Sequence, residues 1–222
     1  MSGNADRRAA LQRERATALS ERLDQWLTLG DADRVLDVGA GAGAFAFAVA
    51  PRVREVVAVE LDEALAARAR ADAPPNVEVI LGDGEHLPFE RASFDVAGTL
   101  RTLHHTPRPE LMVAELARVT RPGGTILIVD QLAPADPLVG LDLTRFERAR
   151  DPSTTRVLAD ADLRGLFDSN SLKLLREEVV HEPRDLDAYL DLAGCEGDER
   201  ERARGLAPPG YEAVVGWYLL SR

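Results

Sequence analysis

Three glycines spaced by two residues form a segment suited to binding a ligand. The run Asp37-Val-Gly39-Ala-Gly41-Ala-Gly43 follows a short apolar segment and leads into an Ala- and Phe-rich one. Glycine lets the backbone turn tightly and approach a ligand without an intervening Cβ. A helix that begins just after such a turn offers free N–H groups to an anion. The run therefore predicts a loop that binds a negatively charged group of a nucleotide-like ligand.

A carboxylate that could bind a ribose closes the next apolar run. This is Glu60, which could accept hydrogen bonds from both ribose hydroxyls; the alternative is an acid that is only solvated at a strand end. In an S-adenosylmethionine site the glycine loop would hold the methionine carboxylate. In a dinucleotide site it would hold the pyrophosphate, usually with the pattern G-x-G-x-x-G, whose third position Ala44 could take here. The loop and the acid alone do not choose between these cofactors.

Two adjacent histidines could remove a proton from a bound molecule. His104 and His105 follow a later apolar run, and Asp130 closes the run after that. Imidazole titrates near neutrality, which suits a general base. We expect these side chains at the carboxyl edge of a sheet, where open α/β sheets bind ligands, with Asp130 able to orient one imidazole. The alternative is a histidine pair that caps the following turn or fills the wall of the cleft.

The hydrophobic pattern predicts the elements that position these residues. An amphipathic helix is expected over residues 5–29 and a second helix over 44–53, and Arg121-Pro-Gly-Gly is expected to form a turn. The predicted strands cover residues 34–39, 56–61, 76–82, 94–100, 125–129, 172–180 and 214–220. Alternating strands and helices predict an α/β fold. We expect a Rossmann-like, doubly wound, mostly parallel seven-stranded sheet with an antiparallel last strand and a helical insertion after the fifth strand.

The chain is predicted to form a single domain over residues 1–222. Within it we expect an N-terminal helical lid over 1–30 and a cofactor-binding core over 31–131. An acceptor cover is expected over 132–170, and residues 171–222 are expected to complete the sheet. Residues in the cover that could line a pocket are Phe146 and Arg150, together with Arg101 from the core.

Composition limits the partners of the protein. The formal net charge of −11 repels polyanions and so disfavours a nucleic-acid partner. No apolar run approaches the roughly 20 residues that span a bilayer, and no secretory signal is recognisable. We therefore expect a cytoplasmic protein with no membrane partner, as a monomer or homodimer. The lone Cys195 can form neither an internal disulfide nor a cysteine metal site.

Six segments between residues 34 and 131 resemble, in order, the motifs of class I S-adenosylmethionine-dependent methyltransferases. The likeness is strongest to the small-molecule branch, which contains quinone-biosynthesis and sugar or natural-product methyltransferases. The segments are Val35-Leu-Asp-Val-Gly-Ala-Gly-Ala-Gly, Val57-Ala-Val-Glu-Leu-Asp, Gly82-Asp-Gly-Glu-His-Leu-Pro-Phe, Ser93-Phe-Asp, Leu103-His-His and Glu115-Leu-Ala-Arg-Val-Thr-Arg-Pro-Gly-Gly. A dinucleotide-dependent oxidoreductase would leave the Leu-Pro-Phe and Arg-Pro-Gly-Gly segments unexplained. An S-adenosylmethionine-binding module without catalytic activity is the alternative that is not an enzyme.

The resemblance assigns S-adenosylmethionine as cofactor and a role to each motif residue. It implies that Asp83 accepts a hydrogen bond from the adenine amino group, with the Gly84 backbone near the ring and Leu61 against its face. Asp37 would help to hold the methionine amino group, and Leu100 joins the cofactor-binding set. Some sugar O-methyltransferases with a similar Leu-His-His segment are thought to use a histidine as base. We therefore predict His105, ahead of His104, as the base.

The acceptor is predicted to be a small molecule that is methylated on oxygen or carbon without a metal ion. The segment after the fourth predicted strand reads Thr-Leu-Arg-Thr-Leu and lacks the Asn/Asp-Pro-Pro motif of adenine- and glutamine-modifying relatives. A single cysteine excludes the multi-thiol pattern of arsenite-methylating relatives. No carboxylate–histidine cluster in the sequence resembles the metal site of catechol-type relatives.

Overall fold

The computed structural model describes residues 17–222 and shows a mostly parallel, twisted sheet with helices on both faces. Seven strands follow each other across the sheet in the order β3-β2-β1-β4-β5-β8-β7, and a short β6 pairs with β5 off this path. Strands β1 to β5 run parallel, whereas β8 lies antiparallel between β5 and β7. The strands are β1 Arg34–Val38, β2 Glu55–Glu60, β3 Val77–Leu81, β4 Phe94–Leu100, β5 Thr120–Ala133, β6 Leu158–Ala159, β7 Lys173–Pro183 and β8 Glu212–Ser221. The predicted Rossmann-like fold with an antiparallel last strand is confirmed.

Helices connect the strands and cover the sheet. The described part of the first helix, α1, covers residues 17–26. The others are α2 Ala44–Val49, α3 Glu63–Asp72, α4 Pro109–Val119, α5 Pro137–Arg150, α6 Asp160–Ser169, α7 Leu186–Leu192 and α8 Gly197–Leu206, and two 3₁₀ turns cover Ala50–Arg52 and Leu103–His105. No helix in the described part of the chain is long and apolar enough to cross a membrane.

Strand side chains alternate between two cores, one on each face of the sheet. In β2, Val56 and Ala58 point into the core formed with α1, α2 and α3. Val57 and Val59, between them, point into the core formed with α4 and α6. This is the period-2 pattern of a strand that is buried on both faces. A third cluster lies away from the sheet centre, where α5, α7 and α8 pack around Phe146.

Three predicted boundaries differ from the structure for local reasons. The helix after the glycine loop ends at Val49 instead of residue 53, because Pro51 lacks the N–H that a continuing helix would need. The helix predicted over 5–29 ends at residue 26, and its first twelve residues lie outside those described. Arg121-Pro-Gly-Gly forms a bulge inside β5 instead of a turn before it, since the register with β4 shifts between Phe94 and Val96.

The described part of the N-terminal segment packs on the sheet. Leu23 and Trp26 of α1 are buried, and the Trp26 ring lies 5.4 Å from that of Trp217 in β8. The guanidinium of Arg176 in β7 lies over the Trp26 ring and donates to a carbonyl of α1. Residues 1–16 of the predicted lid lie outside the described part, so its closure over a ligand stays a prediction.

Candidate functional site

The chain changes direction across the sheet between β1 and β4, which opens a crevice at their carboxyl ends. Val35 of β1 pairs with Val56 of β2 on one side and with Val96 of β4 on the other. The loops after β1 and β4 meet there. The hydroxyl of Thr102, in the loop after β4, donates to the carbonyl of Gly39, in the loop after β1, over 3.1 Å. Open α/β sheets bind ligands at such a switch point. The structure thus brings together the predicted glycine loop and the histidine segment.

All three loop glycines have positive φ angles, but they serve different purposes. A Cβ on Gly39 would overlap the side chain of Thr102, and one on Gly43 would overlap the ring of Phe47. These two glycines allow close packing within the protein. Gly41, with φ +56°, has nothing within 4 Å of the position where its Cβ would lie. Gly41 is therefore the glycine whose missing side chain leaves open space for a ligand.

Glu60 ties the glycine loop to the end of β2. Its Oε2 accepts a hydrogen bond from the Gly41 N–H at 2.7 Å, and its Oε1 accepts from the Asp62 N–H at 2.9 Å. Its side chain is buried, but each carboxylate oxygen can accept more than one hydrogen bond. Glu60 could therefore hold the loop in place and still accept hydrogen bonds from a ribose.

Asp37 lies beneath the loop and stabilises the start of α2. It is only 1% exposed, and its Oδ2 accepts a hydrogen bond from the Ala46 N–H at 3.1 Å. Burial raises the pKa of Asp37 to about 7, against the opposing effect of the Ala46 hydrogen bond, and the nearby Glu60 charge raises it further. The geometry shows the bracing role, and the role toward a methionine amino group stays a prediction.

The residues predicted near the adenine follow the ends of β2 and β3. These two ends are joined by a hydrogen bond from the Gly82 N–H, after β3, to the Glu60 carbonyl of β2. Asp83 is half-buried, and its Oδ1 accepts a hydrogen bond from the Glu85 N–H at 2.9 Å. Leu61 is 69% exposed, as suits an apolar side chain that a ligand would cover. Gly84 packs closely against Val38, and Leu100 is half-buried.

Within the described residues, one group of side chains, Asp83, Glu85 and His86, is close enough to share a metal ion. Glu85 is already engaged by Arg108, whose backbone N–H and Nε donate to it at 2.9 and 2.8 Å. Glu85 therefore anchors the start of α4, and the expectation of metal-independent chemistry stays a prediction.

Asp130 orients His104. Its Oδ1 is hydrogen-bonded to His104 Nδ1 and accepts from the Gln131 N–H at 2.6 Å, while Oδ2 accepts from the His104 N–H at 3.2 Å. Both side chains are buried. Burial alone would lower the pKa of His104, but the charge and hydrogen bond of Asp130 outweigh it and hold that pKa above its ordinary value.

His105 has a different partner and a more open position. Its half-buried ring lies 4.1 Å from that of His104, and its Nδ1 is hydrogen-bonded to Ser153 Oγ at 2.9 Å. Burial lowers the pKa of His105, and the neighbouring His104 lowers it further. This lowered pKa favours the neutral form of His105, which can accept a proton. Ser153 was not among the predicted site residues, although the sequence places it directly after the Asp151-Pro152 pair that ends α5.

The predicted pocket residues of the acceptor cover lie mainly in the protein interior. Phe146 is fully buried against Tyr189 and Tyr211, and Arg150 donates from Nε to Glu147 at 2.9 Å. These two residues therefore pack in the interior of the cover, and their role in lining a pocket stays a prediction. Arg101 is exposed, has a positive φ of 56°, and donates to both carboxylate oxygens of Glu182 at 2.9 Å.

Comparisons with known proteins agree with this arrangement. The profile of the family described as "Methyltransferase domain" matches residues 36–128, which include the glycine loop and both histidines. The chain is 32% identical over 173 residues to the uncharacterized methyltransferase YcgJ of Bacillus subtilis, covering 76% of this chain and 68% of that protein. It is 36% identical over 155 residues to the 27-O-demethylrifamycin SV methyltransferase of Amycolatopsis mediterranei, covering 67% of this chain and 56% of that protein.

A solved structure extends the likeness to nearly the whole chain. A candidate methyltransferase of Bacillus halodurans superimposes with a TM-score of 0.83 at 25% identity, over 91% of this chain and 97% of that one. The open space at Gly41, the acceptor oxygens of Glu60 and the exposed Leu61 fit the cofactor of such enzymes. The glycine loop alone left open whether the cofactor is S-adenosylmethionine or a dinucleotide. The family identifies it as S-adenosylmethionine. The chain belongs to the class I S-adenosylmethionine-dependent methyltransferases.

Proposed function

We propose that this methyltransferase acts on a hydroxyl or acidic carbon of a small molecule, without a metal ion, and that His105 removes the proton of the acceptor. The observation that carries this proposal is the position of His105. Its neutral, half-buried ring lies three residues after Thr102, whose hydroxyl binds the glycine loop at Gly39. A base in that position lies beside the cofactor crevice, and its lowered pKa keeps it unprotonated at neutral pH.

On the cofactor side, we assign a binding role to each residue that lies at the crevice. Glu60 would accept hydrogen bonds from the ribose hydroxyls, Asp83 from the adenine amino group, and Leu61 would cover the ring. Gly41 and the start of α2 would hold the carboxylate end. When bound, S-adenosylmethionine supplies a methyl group attached to a positively charged sulfur. Because the acceptor must approach the methyl group in line with the bond to sulfur, positioning of the two molecules contributes much of the rate.

On the acceptor side, His105 would take the proton as the acceptor atom attacks. The acceptor atom would form its new bond to the methyl group that S-adenosylmethionine supplies as the bond from that methyl group to sulfur breaks, and S-adenosylhomocysteine would be the other product. His104 would support the same wall of the site, because Asp130 holds it and its ring packs on His105. The protonated His105 would return its proton to solvent.

Two observations support a small-molecule acceptor. The Amycolatopsis relative is named for a demethylated rifamycin, a small molecule that carries the acceptor oxygen. The formal net charge of −11 on this chain opposes the approach of a nucleic acid. A cytoplasmic location and a monomeric or homodimeric state stay predictions from composition.

The proposal is tested by measuring S-adenosylhomocysteine formation with a panel of phenols, alcohols and acidic carbon compounds, with and without EDTA. We expect at least one acceptor to be methylated at a rate that EDTA leaves unchanged. Loss of turnover with EDTA would contradict metal-independent chemistry. Tight binding of S-adenosylmethionine in calorimetry with no turnover on any acceptor would favour the non-catalytic binding module.

A further inference from the structure

We propose that Ser153 and Asp151 position His105 by fixing its neutral imidazole with the proton on Nδ1, so that Nε2 is the atom free to accept a proton. Both residues lie in the segment 151–156, which follows α5 and which we call the docking segment. The inference rests on the proposed role of His105 as base. It adds the two residues that would select the reactive nitrogen.

The direction of the hydrogen bonds follows from a count of protons. The Ser153 hydroxyl donates to Asp151 Oδ1 at 2.6 Å. Serine has one hydroxyl proton, so its oxygen can only accept in its 2.9 Å contact with His105 Nδ1. The neutral ring must then carry its proton on Nδ1. Nε2 keeps its lone pair.

Asp151 is suited to fix the direction of this chain. Its Oδ1 also accepts from the Ser153 N–H at 3.0 Å. Burial would raise the pKa of Asp151, but the two hydrogen bonds from Ser153 and the nearby charge of Arg150 hold it below its ordinary value. An ionised carboxylate only accepts hydrogen bonds, so the Ser153 proton points to Asp151 and not to His105.

The docking segment is itself held on both sides. At its start, the Asp151 N–H donates to the Glu147 carbonyl of α5 at 2.8 Å. At its end, the Thr155 N–H donates to the His104 carbonyl at 2.8 Å, and the Thr155 hydroxyl donates to the Thr106 carbonyl at 2.8 Å. The segment thus binds the 3₁₀ turn that carries both histidines. The tautomer of His105 therefore depends on the placement of the acceptor cover.

The tautomer can be observed directly by long-range ¹H–¹⁵N correlation spectroscopy of the ¹⁵N-labelled protein, which has four histidines. His105→Gln assigns the signal, and spectra are recorded above the pH at which His105 titrates. Neutral histidine in a peptide favours the proton on Nε2. We therefore expect the opposite pattern for His105 in the wild type, a return toward the Nε2–H pattern in Ser153→Ala, and retention of the Nδ1–H pattern in Ser153→Thr.

The matched control is Ser169→Ala, which removes a hydroxyl that donates only to the Gly165 carbonyl of α6 and should leave the His105 signal unchanged. An Nε2–H pattern in the wild type, or an Nδ1–H pattern that persists in Ser153→Ala, would overturn the inference. Because this measurement needs no acceptor, it can fail while His105 remains the base. Conversely, the tautomer can be as expected while His105→Ala retains full turnover, which would overturn the proposed function.

Turnover gives a second readout once an acceptor is available. Loss of one positioning hydrogen bond in Ser153→Ala should lower kcat by about tenfold and leave the affinity for S-adenosylmethionine unchanged. Ser153→Thr should restore kcat. Equal losses in both variants would mean that Ser153 has a packing role only, and would contradict a positioning role.

Discussion

Glu60 holds the backbone of the crevice, and it is the residue that we propose also binds the ribose. Its two oxygens accept from the Gly41 and Asp62 N–H groups, and their remaining lone pairs are the ones assigned to the ribose. Glu60→Ala should weaken S-adenosylmethionine binding by about 1.5–3 kcal/mol, the range for hydrogen bonds to a charged group. Calorimetry on the folded variant measures this. Glu63→Ala, an exposed glutamate at the start of α3, should bind like the wild type.

Unchanged affinity in Glu60→Ala would return Glu60 to the role of a loop brace. The thermal transition of both variants should be measured in parallel, because Glu60 also holds the Gly41 backbone. Weaker binding by a variant that unfolds at the wild-type temperature in the absence of ligand would agree with the ribose assignment. If the variant binds weakly because it is partly unfolded, its thermal transition without ligand will lie at a lower temperature than that of the wild type.

The two histidines should respond differently to truncation. His105→Ala should lower turnover by about 10²–10⁴-fold, the usual contribution of a general base, with little change in cofactor affinity. Because the pKa of His105 lies below its ordinary value, wild-type turnover should stay constant near neutrality and fall only as the pH drops through that lowered pKa. The pH profile of kcat/KM measures this. A variant as active as the wild type would show that no proton is removed by His105.

His104→Ala should mainly cost stability. It leaves Asp130 as an unpaired buried charge, which should reduce the free energy of unfolding by about 3–5 kcal/mol. The pKa of His104 is raised in the folded protein, so the stability that this residue contributes is fully present below its unfolded pKa and is lost as the pH rises through the folded value. Urea unfolding of wild type and variant at several pH values measures both effects. A difference that grows with rising pH would contradict the pairing.

At this scale the sequence predicted the reactive groups and one of their partners, but not the other. It predicted that Asp130 would lie near the histidine pair, and the structure shows Asp130 on His104. It did not single out Ser153, which is 48 residues from His105. That contact depends on how the cover docks after α5 ends, and no periodicity in the sequence encodes such a docking.

Among the elements, the glycine loop is the one whose conformation we expect to decide cofactor binding. Gly41→Val should abolish S-adenosylmethionine binding, because it fills the open space beside the loop and penalises a positive φ. Gly210→Val is a matched control, since Gly210 also has a positive φ and open space around it, far along the chain before β8. Both variants should lose about 1–3 kcal/mol of stability. Only Gly41→Val should lose binding in calorimetry, and retained binding would show that the ligand does not approach this face of the loop.

Helix α5 is held by a buried charged network. Glu147 accepts from Gln131 Nε2 and Arg150 Nε, each at 2.9 Å, and from the hydroxyls of Tyr189 and Tyr211. Glu147→Ala should therefore cost about 3–5 kcal/mol of stability. Asp142→Ala, which breaks an exposed pair with Arg145 on the same helix, should cost less than about 1 kcal/mol. Urea unfolding compares them, and equal losses would mean that the network does not anchor the cover.

The elements were predictable where local pattern decides them. The fourth strand covers Phe94–Leu100, as its apolar run predicts. The Arg121-Pro-Gly-Gly segment was less predictable, since glycine and proline usually signal a turn. The β5 strand continues through it because the Gly123 N–H donates to the Arg222 carbonyl and the Gly124 carbonyl accepts from the Arg222 N–H. That pairing joins segments about a hundred residues apart, beyond the reach of any local signal.

In the whole molecule, the site lies where three packed units meet. The two sheet cores fix the loops after β1, β2 and β4, and the cluster around Phe146 fixes the cover that carries Asp151 and Ser153. The proposed cofactor site and base would thus be held by the sheet, whereas the residues proposed to orient the base come from the cover. This division allows the cover to change with the acceptor while the cofactor crevice is retained.

We expect this protein to methylate a small molecule with the help of His105. The most direct test incubates the wild type and His105→Ala with methyl-labelled S-adenosylmethionine and an extract of the cells from which the protein comes. The products are then separated into small-molecule, nucleic-acid and protein fractions. We predict label in the small-molecule fraction, reduced by about 10²-fold or more in the variant. Label in nucleic acid or protein, or equal labelling by the two enzymes, would contradict the account.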